Sequence, residues 1–259
     1  MNQALEYIKY RLKAKGRHGI HSPFVYNLLD ECFKIRLSGI EKATISQLYS
    51  KLSHDKRIIS IEDHGVGSKK LGAKRKISTI IKTSSSKGKY GRLLYQLARY
   101  TKPKQMLELG TSLGLGTMHL YLGAPDATLT TVEGCPETYR IAGEHLPKTI
   151  HRTRSTFDDY LNELDTDAPK FDLVFIDGHH DGKALLKYLN QLESFTHNDT
   201  LFVLDDIRWS PSMKKAWIQL VKDSDYHLTI DLFRVGIIAR RSQQEKEHFT
   251  LKISLKGSR

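Results

Sequence analysis

Short apolar runs alternate with stretches of helical spacing through the second half of the chain. The runs have the length of strands, and the stretches between them place apolar residues three and four positions apart, as in amphipathic helices. The predicted strands are residues 105–109, 127–133, 149–152, 171–176 and 200–205, and the predicted helices lie near residues 90–100, 115–122, 136–146, 157–164, 182–195 and 211–222. Such repeats favour right-handed crossovers and a mostly parallel sheet that is covered on both faces. The pattern therefore predicts an α/β fold.

The pattern changes near the end of the chain. Residues 227–232 and 235–240 are two apolar runs separated only by Phe233 and Arg234, which predicts an antiparallel pair of strands. Residues 250–255 could add a further edge strand.

The first part of the chain has mainly helical spacing. Apolar residues predict helices within residues 4–14 and 45–52. Ser22 followed by Pro23 is a typical helix start, because serine caps a helix and proline fits its first turn. A short strand is predicted at residues 58–61.

Residues 69–86 are polar and rich in lysine, and we interpret them as a mobile segment that could cover a ligand cleft as a lid. The glycines of residues 62–68 precede this basic stretch instead of an apolar helix, so they do not qualify as a phosphate-binding loop. The predicted division is an N-terminal helical appendage with a basic, lid-like segment at residues 1–86 and a second domain at residues 87–259.

Three glycines follow the predicted strand 105–109, and a helix-compatible stretch begins directly after them. They are Gly110, Gly114 and Gly116. Glycine permits positive φ and the close approach of a ligand, and ligands of open α/β sheets bind beyond the carboxyl ends of the strands. A dinucleotide fingerprint needs glycines at relative positions 0, 2 and 5. Counted from the first or the second glycine, that spacing fails at Ser112 or at His119, so NAD is disfavoured.

The order acidic-x-Gly-x-x-x-Gly-x-Gly, which contains Glu108, and the second predicted strand, which ends on Glu133, resemble the cofactor-binding motif of class I S-adenosylmethionine-dependent methyltransferases. The resemblance implies a Rossmann-like, mostly parallel seven-stranded sheet with a terminal antiparallel strand, and a methyltransferase domain at residues 87–259. Glu108 and the turn at Gly110 would hold the methionine end of the cofactor, Glu133 would accept both ribose hydroxyls, and the residues after the third predicted strand would frame the adenine. The cofactor-binding residues that the resemblance implies are Glu108, Gly110, Thr111, Ser112, Gly114, Glu133, Gly134, Ser155, Thr156, Phe157 and Asp177.

Acidic residues end two further predicted strands. Asp177 follows the fourth strand, and Asp205 and Asp206 follow the fifth, so all three fall on the same rim as Gly110 and Glu133. Converging carboxylates repel one another unless a positive charge lies between them. A hard divalent cation such as Mg²⁺ is the economical candidate, although each acidic residue alone is also compatible with a helix cap or a turn.

The sequences Asp-Gly-x-His from Asp177 and Asp-Asp from Asp205 resemble those of metal-dependent O-methyltransferases, of the catechol type and especially of the macrocin type. The resemblance implies Asp177, Asp205 and Asp206 as ligands of Mg²⁺ or another divalent cation, and His180 as the general base beside Asp177. The catechol branch has a lysine at the position of His180, so the chain departs from that branch there. A histidine that titrates near neutrality suits the removal of a proton from an attacking hydroxyl.

These motifs favour transfer of a methyl group from S-adenosylmethionine to a small hydroxylated acceptor, such as a phenol, a polyketide or a sugar. The alternative is a tRNA or rRNA methyltransferase, because the formal net charge is +12 and lysines cluster between residues 69 and 89. Such a cluster is also typical of a solvated surface. No Asn/Asp-Pro-Pro-Tyr/Phe sequence of base methyltransferases occurs. A binding module without catalysis is a third reading, which the acidic and histidine set disfavours.

Two remaining features bear on location and assembly. No run approaches the roughly 18 apolar residues of a membrane span, and the start of the chain lacks the apolar region of a secretory signal. Cys32 and Cys135 lie far apart and have no spacing typical of zinc ligands. We expect a cytoplasmic protein that does not contact membranes, with a homodimer as one possible assembly.

Overall fold

One large sheet organises the part of the chain that the computed structural model describes, namely residues 3–16, 20–62, 73–83 and 86–252. The helices are α1 (Gln3–Lys13), α2 (Pro23–Asp30), α3 (Gly39–His54), α4 (Ile77–Thr83), α5 (Lys89–Thr101), α6 (Leu115–Gly123), α7 (Pro136–Gly143), α8 (Phe157–Asn162), α9 (Gly182–Gln191) and α10 (Pro211–Lys222). The strands are β1 (Ile58–Ile61), β2 (Ala73–Lys76), β3 (Gln105–Leu109), β4 (Thr128–Glu133), β5 (His151–Arg154), β6 (Phe171–Ile176), β7 (Thr196–Leu204), β8 (Leu228–Leu232), β9 (Val235–Ala239) and β10 (Glu247–Thr250). Among these described elements, no helix is long and apolar enough to cross a membrane.

Strands β3 to β10 form an eight-stranded sheet in the order β10-β8-β9-β7-β6-β3-β4-β5. Strands β3 to β7 are parallel, and β9 lies antiparallel to both of its neighbours, β7 and β8. The predicted mostly parallel sheet with a terminal antiparallel strand is therefore confirmed. An eighth strand, β10, pairs parallel with β8 at the edge, and it begins earlier than the edge strand predicted at residues 250–255.

Side chains of each central strand enter two apolar cores in turn, because successive residues of a strand point to opposite faces. In β6, Leu173 and Phe175 join the core that lies under α5 and α6, whereas Val174 and Ile176 join the core under α8, α9 and α10. Helices thus cover both faces of the sheet. The carboxyl ends of the parallel strands are left at one open edge, where the predicted site residues lie.

Helices α2 and α3 pack on the same side of the sheet as α5 and α6. Their buried residues Val25, Leu28 and Leu52 belong to one core with Leu93 and Leu97 of α5. α2 begins at Pro23 as predicted, without a side-chain capping bond from Ser22. The helix predicted at residues 45–52 is longer than expected, because Ser38 and Glu41 form a capping box that starts α3 earlier in the sequence.

Part of the segment predicted to be polar and lid-like, residues 69–86, has regular structure, and its role as a lid stays a prediction. Residues 73–76 pair with β1 in a two-stranded antiparallel sheet, and α4 buries Ile77 and Ile81 completely. Isoleucines at spacings of three and four give α4 an apolar face, which the surrounding lysines obscure in the sequence. Residues 69–72 and 84–85 of the predicted lid lie outside the described residues.

Candidate active site

The loop after β3 brings the ends of β3 and β6 into direct contact. Gly110 has a φ of 112°, and its amide donates to the carbonyl oxygen of Val132 at 3.0 Å. A β-carbon at Gly110 would lie 2.0 Å from the backbone oxygen of Asp177. Only glycine fits this position, because both the positive φ and the close approach exclude a side chain.

Glu133 has a defined orientation at the end of β4. Its Oε2 accepts a hydrogen bond from the amide of Ser112 at 2.7 Å, and its Oε1 accepts one from the amide of Cys135 at 2.9 Å. The side chain lines a cleft of about 130 Å³ at the open edge of the sheet. The predicted cofactor residues that line this cleft are Gly110, Ser112, Glu133, Gly134, Thr156, Phe157 and Asp177. The structure therefore brings together most of the residues to which the sequence assigned this role.

Three other predicted cofactor residues shape the loops around the cleft. The buried hydroxyl of Thr111 bonds to that of Thr131 at 2.5 Å, and Thr111 lines a smaller adjoining pocket. Gly114, with a φ of 83°, caps α6 and lies against Leu146. The amide of Ser155 donates to the backbone oxygen of Glu133 at 3.2 Å, which anchors the segment that follows β5.

Glu108 lies beneath the glycine loop and has no exposed surface. Its Oε2 accepts hydrogen bonds from the hydroxyls of Thr117 at 2.5 Å and Thr131 at 2.6 Å, and its Oε1 has no partner among the described residues. Burial raises the pKa of Glu108 to about 7, the two threonines oppose that rise, and the charge of Glu133 adds to it. Glu108 therefore does not line the cleft in this structure, and its predicted contact with the methionine end of a cofactor stays a prediction. The motif's carboxyl group supports the loop from below.

Aromatic rings close the end of the cleft next to α8. The rings of Phe157 and His179 lie 5.1 Å apart, and Tyr188 is hydrogen-bonded through its hydroxyl to Nδ1 of His179. A β-carbon at Gly178 would meet the ring of Phe157 at 2.5 Å. His179 lines the cleft although the sequence analysis selected its neighbour, His180. Two adjacent histidines after a strand point in different directions, so spacing alone does not decide which one faces a ligand.

The acidic rim contains a cation that the sequence analysis missed. Arg234, from the turn between β8 and β9, places its Nε 3.1 Å from Oδ1 of Asp205 and 2.9 Å from Oδ1 of Asp206. Its Nη2 lies 3.4 Å from Oδ2 of Asp205, and its guanidinium lies 5.4 Å from the ring centre of Tyr90. Asp205 and Asp206 are both buried. The positive charge expected between the carboxylates is thus a guanidinium.

Electrostatics at the rim follow from burial and from this pairing. Burial and the neighbouring Asp205 raise the pKa of Asp206, and the charges of Arg234 and His180 oppose that rise. Burial alone would lower the pKa of Arg234, but the carboxylates of Asp205, Asp206 and Asp177 outweigh it and raise the pKa. The guanidinium is therefore charged, and it interacts with all three acidic residues of the rim.

The predicted magnesium site, formed by Asp177, Asp205 and Asp206, does not match this arrangement. Within the described part of the chain, no three His, Cys, Asp or Glu side chains are grouped so that they could hold a metal ion. Both oxygens of Asp205 and Oδ1 of Asp206 are bonded to Arg234. The residues present do not fit a divalent cation, and the prediction of a metal centre is corrected accordingly.

His180 lies on the rim beside the acidic pair. Its Nδ1 is 3.6 Å from Oδ2 of Asp206, and its ring is 5.4 Å from the ring of Trp209. Both rings are accessible, since the side chain of His180 is 37% exposed and Trp209 is 63% exposed. His180 has a φ of 32°, and its backbone oxygen accepts a hydrogen bond from the Ser210 hydroxyl at 3.2 Å. The imidazole is positioned next to a carboxylate and open to a bound molecule.

A comparison with protein families identifies the central part of the chain. Residues 107–207 match the family model that is described as a methyltransferase domain. This segment begins in β3 and ends just after the acidic pair, so it contains the glycine loop, Glu133, His180 and Asp206. No curated protein sequence matches the chain.

Solved structures share the fold at low sequence identity. The SAH-bound methyltransferase of Podospora anserina superposes with a TM-score of 0.57 at 15% identity, over 85% of this chain and 97% of that chain. The O-methyltransferase TomG of Streptomyces achromogenes, in complex with SAM, gives a TM-score of 0.53 at 16% identity over 83% of this chain and 95% of its own. The O-methyltransferase of Bacillus cereus, in complex with SAH, gives 0.53 at 14% identity over 83% and 94%. The predicted class I methyltransferase fold is therefore confirmed, and the match of residues 107–207 to a methyltransferase domain supports the predicted enzyme class, an S-adenosylmethionine-dependent methyltransferase.

Proposed function

We propose that the protein is an S-adenosylmethionine-dependent O-methyltransferase that acts on a small hydroxylated acceptor. The observation that carries this proposal is the cleft on which Glu133, Gly110 and Asp177 lie together. A carboxylate that two backbone amides already orient is suited to accept the two ribose hydroxyls, because its remaining lone pairs are directed before a ligand arrives. The rings of Phe157 and His179 offer a surface for the adenine.

The negative charge of Asp177 complements the methionine end of the cofactor. Asp177 lines both the main cleft and the smaller pocket that adjoins the glycine loop. A carboxylate there suits the ammonium group of the methionine moiety.

His180 is the proposed general base. When bound, the cofactor supplies an electrophilic methyl group on its sulfonium sulfur. His180 would take the proton of an acceptor hydroxyl as its oxygen attacks that methyl group. Asp206, 3.6 Å from Nδ1 of His180, stabilises the imidazolium that results. The exposed ring of Trp209 provides a wall for the acceptor.

The test is a screen that measures release of S-adenosylhomocysteine with phenols, sugars and bulk RNA as separate acceptors. We expect turnover with a small hydroxylated acceptor and none with the same acceptor after its hydroxyl has been methylated. Turnover with RNA alone, accompanied by RNA binding that weakens steeply with salt, would establish the RNA alternative instead. Failure to bind S-adenosylmethionine in calorimetry would contradict the proposal as a whole.

A further inference from the structure

Arg234 is held beside the acidic pair by the backbone of its own turn. The backbone oxygen of Arg234 accepts a hydrogen bond from the amide of Ile207 at 2.9 Å, directly after Asp206. The turn is fixed from the other side by a buried ion pair, in which Nη1 of Arg208 donates to Oδ1 of Asp231 at 2.8 Å and to the backbone oxygen of Phe233 at 2.6 Å. The backbone of the turn is therefore fixed on both sides. The guanidinium is held beside the acidic pair by ordered structure and not by a freely rotating surface side chain.

The guanidinium contacts carboxylate oxygens that a divalent cation would need as ligands. Its Nε is shared between one oxygen of Asp205 and one of Asp206, at 3.1 and 2.9 Å. The second oxygen of Asp205 lies 3.4 Å from Nη2. Mg²⁺ would need such carboxylate oxygens directly in its coordination sphere. A cation that used these three oxygens could bind only if the guanidinium moved away from them.

We propose that Arg234 is the internal cation of this site and a positioning residue for Asp205 and Asp206, so that the enzyme works without a divalent metal ion. This inference deepens the proposed function, since it concerns the same rim. The single charge of the guanidinium offsets the repulsion between two buried carboxylates, and its planar geometry fixes them in one arrangement. Asp206 then keeps its place beside His180, where the proposed proton transfer occurs.

The experiment measures binding of Mn²⁺ by calorimetry and electron paramagnetic resonance, without cofactor or acceptor. The proteins are the wild type, Arg234→Met, the double variant Arg234→Met/Asp206→Asn, and Arg240→Met as the matched control. Methionine keeps the stem of the side chain and removes the charge. Arg240 pairs with Glu193 at 3.2 Å and lies beyond the end of β9, away from the acidic pair.

The wild type and Arg240→Met should bind Mn²⁺ weakly and equally. Arg234→Met should bind it at least about tenfold more tightly, and the double variant should lose that gain. Methyl transfer by the wild type should be unchanged by a chelator. Because metal binding is measured without an acceptor, this result does not depend on whether the proposed substrate class is right.

Three outcomes would overturn the inference. The first is tight Mn²⁺ binding by the wild type that Asp205→Asn abolishes. The second is a folded Arg234→Met protein, verified by circular dichroism, that gains no affinity. If Arg234→Met does not fold, Arg234→Lys replaces it, since lysine keeps the charge on a shorter side chain. The Mn²⁺ affinity of the wild type then still tests the inference. The third is loss of wild-type methyl transfer in chelator and its recovery when Mg²⁺ is restored.

Discussion

The two halves of the rim hold their carboxylates in different ways. In the cofactor half, formed by the loops after β3, β4 and β5, Glu133 accepts hydrogen bonds from the amides of Ser112 and Cys135. In the acceptor half, formed by the ends of β6 and β7 and the turn before β9, Asp205 and Asp206 pair with the guanidinium of Arg234. Main-chain donors orient one carboxylate, and a side-chain cation orients the others.

This difference indicates which half of the site is more sensitive to amino-acid substitution. Every residue type except proline carries a backbone N–H group, so the donors to Glu133 persist under most substitutions as long as the loops keep their course. The guanidinium depends on one side chain, and a single substitution at Arg234 would leave two buried carboxylates without their cation. We therefore expect the cofactor half to be robust and the acceptor half to be sensitive to substitution.

The largest effect is expected where the two halves meet. Gly110→Ala should destabilise the protein by about 2–6 kcal/mol, since the strained backbone costs about 1–3 kcal/mol and overpacking against the backbone oxygen of Asp177 costs about 1–3 kcal/mol. Denaturant unfolding measures the change. Gly39→Ala is the control, because no atom lies within 4 Å of its added β-carbon and it starts α3. Wild-type stability of the Gly110 variant would show that the ends of β3 and β6 are not in contact.

Next in size is the effect of removing the proposed base. His180→Ala should lower kcat by about 10²–10⁴, the range for general acid–base catalysis, and leave cofactor affinity unchanged. His179→Ala is the matched control, because His179 lines the cofactor cleft and should weaken cofactor binding more than it slows turnover. Steady-state kinetics and calorimetry on both variants separate the two roles. The reverse assignment, with the larger kcat loss in His179→Ala, would exchange the two histidines in the mechanism.

A third prediction concerns the pH dependence of stability. The pKa of Glu108 is about 7 in the folded protein against an ordinary value of 4.5, so the folded state binds this proton more tightly. The stability that Glu108 contributes is complete below pH 4.5 and is lost as pH rises to about 7, by about 3 kcal/mol in all. Glu108→Gln should flatten this slope in unfolding curves measured across that range. Glu137→Gln, at a partly exposed position of α7, should keep the slope of the wild type.

The smallest expected effect is on cofactor affinity. Glu133→Ala removes a charged acceptor, and each hydrogen bond to such a group contributes about 1.5–3 kcal/mol. The affinity for S-adenosylmethionine should therefore fall by at least about tenfold. Calorimetry gives the value, and Glu137→Ala, in the helix that follows β4, controls for the lost charge. Equal affinity of the folded Glu133→Ala protein and the control would remove the assignment of Glu133 to the ribose.

Much of the fold was predictable because its signals are local. The order of strands and helices from β3 to β9 follows from the period of apolar positions. The glycine loop follows from the backbone that Gly110 must adopt, and the end of β4 at Glu133 follows from the same alternation.

α4 was missed because three isoleucines among lysines look like a polar segment. The complete burial of Glu108 was not predictable, because a motif gives the order of residues and not the direction in which a side chain points.

The position of Arg234 in the site could not be predicted from local sequence patterns. The sequence predicts the turn that contains it, the acidic pair after β7 and the need for a positive charge among the carboxylates. Nothing in the sequence around Arg234 indicates that it provides that charge, since it lies 29 residues after Asp205. The insertion of β9 between β7 and β8, with Leu204 opposite Gly236, brings the turn against the acidic pair. Ion pairing depends on distance in space, which the order of strands in the sheet sets, and that order exists only once the sheet has formed.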